Sequence, residues 1–296
     1  DFKLIDTRKF LMQMRERNVQ CSSPAGLHRM AYTEWGDPQN PRVLMCVHGL
    51  TRCGRDFDFL AALLASEYRV ICPDVAGRGQ SDWLADKTLY GIQQYVDDMV
   101  TLLARLDTDA VSWLGTSMGG LIGMVLAAQE HTPVSRLILN DCGPVLKAAA
   151  LARIGEYVGK DPRFATIEEA ERFVRQTSFT FGQLSDAQWR HLTIHVMRTA
   201  ADGMIEFRYD PGIAVGYQPL VAAGQDIELW QYYDAIRCPT LVLRGAESDL
   251  LLPETVAQMA QRGPRARCIE IPATGHAPML MEAAQVTLVA DFLRAA

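Results

Sequence analysis

Ala110-Val111-Ser112-Trp113-Leu114-Gly115-Thr116-Ser117-Met118-Gly119-Gly120-Leu121 is the stretch whose reading decides the fold. A strand-like apolar run, residues 110–114, enters a Gly-x-Ser-x-Gly turn, and a helix-like run, residues 121–129, leaves it. A serine hydroxyl is a poor nucleophile at neutral pH. Chemistry on it requires an adjacent base and N–H donors facing the oxyanion that forms. A sharp strand-to-helix turn provides that setting, because it holds Ser117 clear of the backbone under strain and puts the Met118 N–H at a helix start. Gly115 and Gly119 suit the turn, since side chains two residues before and after the serine would collide. Short glycine motifs also arise by chance, so partners elsewhere in the chain must carry the reading.

Outward from the turn, residues 27–35, 42–47, 68–73, 134–140, 240–244 and 266–271 also read as strands, with helical patterns between most of them. Buried, non-alternating strands followed by helices predict a mostly parallel sheet covered on both faces, with ligands beyond the C-terminal strand ends. The rhythm breaks after Cys142: residues 147–158, 167–177 and 186–200 are helical in pattern, and no buried strand is evident before about Asp226. The expected organisation is therefore a core of residues 1–142 and 227–296, with a helical cap inserted at 143–226.

The chain has 296 residues, 49% of them hydrophobic, enough for one large α/β domain or a domain plus an insertion. Its net charge of −6, with no basic run, predicts no nucleic-acid partner. Seven cysteines, odd in number and without Cys-x-x-Cys spacing, read as reduced core thiols of a cytoplasmic protein. Residues 1–20 are mixed in charge and amphipathic and lack the apolar core of a secretory signal. No run of eighteen apolar residues predicts a membrane span.

Further motifs surround Ser117: Val47-His48-Gly49-Leu50, the segment Asp74 to Asp82 with its Gly77-Arg78-Gly79 turn, Arg244-Gly245-Ala246-Glu247-Ser248-Asp249, and Gly275-His276-Ala277-Pro278. In this order they resemble the α/β-hydrolase family over nearly the whole chain, which implies a mostly parallel α/β-hydrolase sheet flanked by helices, with a helical cap. The resemblance implies Ser117 as nucleophile and His276, in a small-residue loop after a strand, as general base and then acid. Asp249, at the family's usual acid position, is expected to orient His276. Its competing reading is a helix N-cap ahead of Pro253, and Asp141, directly after the strand 134–140, is the rival acid. The backbone N–H groups of Leu50 and Met118 are expected to form the oxyanion hole. His48 and the turn 77–82 are assigned structural roles, and Arg52 or Arg55 is a candidate for greeting a substrate carboxylate.

The implied activity is hydrolysis of a small-molecule carboxylic ester or lactone through an acyl-enzyme, with no metal or organic cofactor. Trp83, Phe179, Phe181, Trp189, Met197, Trp230 and Tyr233 lie in or near the cap; those that line a pocket would favour an apolar or aromatic substrate. Haloalkane dehalogenases and epoxide hydrolases use an aspartate at the elbow, so Ser117 argues against both. A C–C bond hydrolase of aromatic-catabolism diketones is the alternative, although Thr116 and Leu50-Thr51-Arg52 depart from its usual Asn and Gly-Pro-rich loop. A perhydrolase side activity is compatible with the same residues, and a non-catalytic receptor on the same scaffold is a further class. His191 and His195 are four apart on a predicted helix and lack a visible third ligand for a metal.

Overall fold

The structure is a computed structural model and describes residues 14–295. Eight strands make one sheet: β1 (Met14–Ser23), β2 (Gly26–Trp35), β3 (Val43–Val47), β4 (Arg69–Pro73), β5 (Val111–Thr116), β6 (Val134–Asn140), β7 (Thr240–Gly245) and β8 (Arg267–Ile271). Their spatial order is β1-β2-β4-β3-β5-β6-β7-β8. β1 and β2 form an antiparallel hairpin, β2 meets β4 antiparallel, and every pair from β4 to β8 is parallel.

The predicted strands hold within one or two residues, and their packing explains why they read as continuous apolar runs. Along β3, Val43, Met45 and Val47 enter the core on one face of the sheet while Leu44 and Cys46 enter the core on the other. β6 does the same with Leu137 and Leu139 against Ile138. Helices α1 (Asp58–Leu64), α2 (Ile92–Leu106) and α3 (Met118–Ala127) are joined by six others, five of them between β6 and β7 and one between β7 and β8: α4 (Ala148–Gly155), α5 (Ile167–Thr177), α6 (Asp186–Val196), α7 (Ile213–Ala222), α8 (Trp230–Ala235) and α9 (Pro253–Met259). With α10 (Ala283–Arg294), they cover both faces: α2 and α3 contribute to one core, α1 and α10 to the other.

β1 is the strand that residues 1–20 did not suggest; residues 1–13 of that stretch lie outside the described part. Its charges alternate because it is an edge strand. Arg15 and Arg17 reach Glu34 on the neighbouring β2 at 3.2 and 3.5 Å, and Arg69 of β4 reaches the same carboxylate at 2.7 Å. The seven cysteines are free thiols. Among the described residues no helix is long and apolar enough to cross a membrane.

The segment between β6 and α8 is mainly helical, with two short ribbons: one at its ends, and one that overlaps the end of the expected helix 186–200. Val145–Leu146 pairs antiparallel with Ile227–Glu228, which brings the two ends of the segment together. Met197–Thr199 pairs with Ile205–Phe207, so the helix ends at Val196, short of the expected 200. The reason is a tight hairpin: the Ala200 N–H donates to the Met204 carbonyl at 2.8 Å, and Gly203 turns with φ 85°. Trp189, Leu192 and Val196 of α6 pack on Cys53, Met279 and Met281 of the sheet domain.

Two contacts near the sheet's upper edge depend on single residues. A Cβ on Gly119 would lie 2.0 Å from the Val47 carbonyl oxygen, so only glycine lets the start of α3 touch the end of β3. Gly119→Ala is therefore expected to cost at least about 2 kcal/mol, read by urea unfolding; a change under about 0.5 kcal/mol would contradict this packing. His48 is wholly buried between loops: its Nε2 accepts the Val75 N–H at 2.9 Å and its Nδ1–H donates to the Gly49 carbonyl at 2.7 Å. Burial pushes its pKa down to about 3. That lies below the unfolded value near 6.5, so the stability it confers is full above about pH 6.5 and is lost as pH falls toward 3, at about 1.4 kcal/mol per pH unit. Buried Asp74, raised by desolvation to about 6, has the opposite slope, its contribution being lost as pH rises from about 4 through 6. The difference between wild type and His48→Gln isolates the histidine: between pH 6 and 4 the wild type should lose about 1.4 kcal/mol per unit more than the variant, and parallel losses would contradict the assignment.

Candidate active site

Several strand ends meet at the upper edge of the sheet. β5 delivers Ser117, whose φ of 52° and ψ of −116° place it in a strained turn between strand and helix. Its N–H donates to the Asn140 carbonyl at 3.0 Å. The Asn140 side-chain amide donates to Thr116 Oγ1 at 2.9 Å and to the Pro278 carbonyl at 2.8 Å, so one amide ties the serine turn to the loop after β8.

β8 leads to His276, whose Nε2 lies 3.0 Å from Ser117 Oγ. On the far side of the ring, Nδ1 lies 2.6 Å from Oδ2 of Asp141, a fully buried carboxylate at the end of β6. The remaining carboxylate valences are also filled: Oδ1 accepts the Gly245 N–H at 2.8 Å and Oδ2 accepts the Ser248 hydroxyl at 2.6 Å. Nδ1–H is thus the donor to Asp141, which leaves Nε2 to accept from Ser117. A Cβ on Gly245 would lie 2.2 Å from the Gly275 carbonyl oxygen, so glycine here lets the His276 loop come close enough for that hydrogen bond.

Asp249, the acid expected from the motif, does not reach His276. Its half-exposed carboxylate pairs with Arg153 of α4 at 2.6 and 2.9 Å. The turn after β7 directs Ser248 inward onto Asp141 and leaves the next side chain pointing outward, so this loop contributes a hydroxyl and an N–H to a carboxylate from β6. Asp141 was legible as the rival acid. The contacts from Ser248 and Gly245 were not, although both lie in the Arg-Gly-x-x-Ser-Asp segment.

Leu50 and Met118 flank the serine and line the same cavity. The Gly49 backbone runs beside the serine: a Cβ there would sit 3.7 Å from the Ser117 Cβ, at ordinary contact distance. Arg78, from the glycine turn after β4, is fully buried beneath these two residues. Its Nε donates to the Leu50 carbonyl and Nη1 to the Ala76 carbonyl and Tyr95 hydroxyl, each at 2.8 Å, and Nη2 lies 3.8 Å from Met118 Sδ. Among the described residues it has no carboxylate within ion-pair distance, and its charge rests on these dipoles and on the Tyr95 ring 5.0 Å away. Sequence reading gave the turn a structural role but missed this contact to both residues beside the serine.

Arg52 and Arg55 are not free to greet a carboxylate. Arg52 forms a two-point pair with Asp56 at 2.6 and 2.8 Å, and Arg55 pairs with Asp58 at 2.6 to 2.9 Å. The cavity above Ser117 is about 740 Å³ and mainly apolar, with Leu151, Tyr157, Phe173, Phe181 and Tyr217 of the inserted segment facing Ser117 and His276. Of the seven apolar residues singled out in sequence, only Phe181 lines it; Trp189 stacks behind Phe181, and Tyr233 is core.

Residues 44–290 match the model of the alpha/beta hydrolase family. The chain is 51% identical to a 3-hydroxybutyrate-oligomer hydrolase of Cupriavidus necator over 94% of its own length and 97% of the relative's. Among solved structures, an alpha/beta hydrolase from Novosphingobium aromaticivorans superposes with a TM-score of 0.84 at 36% identity, over 95% of this chain and 98% of that one. E-2-(acetamidomethylene)succinate hydrolase shares the fold with a TM-score of 0.81 at 18% identity, covering 95% and 100% of the two chains. Sheet order, motif order and these matches agree: the chain belongs to the alpha/beta hydrolase family.

Proposed function

We propose that this protein is a serine hydrolase of short linear esters built from 3-hydroxy acids, with oligomers of 3-hydroxybutyrate as the type substrate. The observation that carries the chemistry is the hydrogen-bonded series Ser117–His276–Asp141 at the floor of an apolar cavity. The substrate class is supported by half-identity to the oligomer hydrolase along essentially both full lengths.

In this reading Ser117 Oγ attacks the ester carbonyl while His276 Nε2 takes its proton. Buried Asp141 stabilises the imidazolium that results and keeps the ring in the tautomer that accepts from serine. The Leu50 and Met118 N–H groups receive the oxyanion, and Arg78, bonded to the Leu50 carbonyl, steadies the adjoining peptide of that loop. The protonated His276 gives its proton to the departing alkoxide. Water, deprotonated by the same nitrogen, then releases the acyl group from Ser117. Residues 143–226 act as the cap, and their apolar side chains exclude water from the acyl chain. No step calls for a metal or organic cofactor.

Diketone C–C cleavage is the weaker reading, since the oxyanion loop here is His48-Gly49-Leu50-Thr51 and lacks the Gly-Pro pair. A receptor would need no such linked triad. The deciding experiment follows monomer release from a 3-hydroxybutyrate trimer alongside a short-chain nitrophenyl ester. Turnover of both, abolished in Ser117→Ala, is expected. Asp141→Asn should reduce kcat about 10³- to 10⁴-fold, while Asp249→Asn should stay within about threefold of wild type. Turnover of the nitrophenyl ester with none of the trimer would overturn the substrate class. Large loss in Asp249→Asn with little in Asp141→Asn would overturn the choice of acid, and tight binding without turnover of either ester would favour the receptor.

A further inference from the structure

His191 and His195 lie on one face of α6 in the inserted segment, their rings edge to face with centroids 4.5 Å apart. The chain fold brings to them a third group that sequence spacing could not reveal. Asp58, the first residue of α1 in the sheet domain, places Oδ2 at 3.3 Å from His191 Nε2. Each of the three residues offers one ligand atom, and these atoms lie within 4.8 Å of one another. Asp58 is buried and both histidines are half-buried. None of the three lines the cavity above Ser117.

We propose that Asp58, His191 and His195 form a binding site for one divalent transition-metal ion of the zinc class, which pins helix α6 of the insert to helix α1 of the sheet domain. Two imidazoles and one carboxylate are a common zinc donor set with a fourth position left for water. Imidazole-rich sites favour zinc, copper and nickel over magnesium and calcium, which prefer all-oxygen shells. The Phe59 ring packs edge to face against His191 at 5.2 Å and limits its rotation, so part of the ordering cost of a ligand is already met.

The ion would compete with contacts now present. Arg55 donates from Nε to both oxygens of Asp58, and His191 Nε2 lies 3.0 Å from the Arg55 carbonyl. Arg55 Nη2 also lies 2.6 Å from Oδ2, so Arg55 must swing to Oδ1 alone for Oδ2 to turn to the metal, which the lone pairs on both oxygens allow. His191 must release the Arg55 carbonyl. The competition weakens binding relative to a preformed site, and it joins occupancy to the turn that follows Leu50, since Cys53 Sγ of the same turn contacts the His195 carbonyl at 3.5 Å.

The test uses the full chain stripped with a chelator and titrated with ZnCl₂, NiCl₂ or MgCl₂, read by calorimetry and by thermal unfolding. One zinc per chain and a Tm rise of about 3 °C or more are expected, with nickel similar and magnesium inert. His191→Ala and His195→Ala should each weaken zinc binding at least about tenfold and remove the Tm rise, while metal-free ester turnover stays within about twofold of wild type. Asp58→Asn should weaken zinc similarly, and its Tm in chelator separates a folding defect from loss of a ligand. Absence of a zinc-dependent shift would overturn the proposal. So would a shift that survives in both histidine variants, because the ion would then sit elsewhere, as at the buried Cys21, His28 and Asp98 group. Neither outcome depends on whether the protein hydrolyses esters.

Discussion

A single buried carboxylate organises the upper edge of this sheet. Asp141 takes one hydrogen bond from Gly245, one from Ser248 and one from His276, so a residue at the end of β6 fixes the loops after β7 and β8 at once. Removing one partner of a buried, hydrogen-bonded charge typically costs about 3–5 kcal/mol, and this group has three partners to leave unpaired. The position of the imidazole over Ser117 is therefore a consequence of how three strand ends converge. Nothing about His276 in isolation would set it. Asn140 extends the same logic by tying the serine turn to the His276 loop through Thr116 and Pro278.

The rest of the site is held by neutral or dipole-satisfied groups. His48 sits uncharged between the loops after β3 and β4, and Arg78 carries its charge among carbonyls and rings beneath Leu50 and Met118. Together these two buried residues brace the loops after β3 and β4 beside the serine. Side chains between β6 and β7 line the apolar space above, and Trp189, Leu192 and Val196 pack on Cys53, Met279 and Met281.

Much of this was legible in sequence, for definite reasons. Strands buried on both faces are apolar without alternation, so the central strands β3 through β7 announced themselves. The serine turn was readable because its glycines answer to sterics within five residues, and His276 because a small-residue loop follows a strand. What escaped was decided by distant partners. Choosing between Asp141 and Asp249 required knowing which way the turn after β7 points its side chains, which depends on the close approach of Gly245 to Gly275. β1 escaped because an edge strand with Arg15 and Arg17 on its surface lacks an apolar signature. The ribbon at 197–207 escaped because three-residue strands are shorter than any periodicity can register. Asp58 could be matched to His191 and His195 only after folding placed residues far apart in the chain side by side.

The central claim is that the His276 Nδ1 proton is shared with Asp141. Proton NMR of the imidazole tests this most directly, because a hydrogen bond from Nδ1 to a buried carboxylate shifts that proton far downfield and protects it from exchange. The account predicts such a resonance in the wild-type protein and in Asp249→Asn, and its loss or upfield movement in Asp141→Asn. A resonance that persists unchanged in Asp141→Asn and disappears in Asp249→Asn would contradict it.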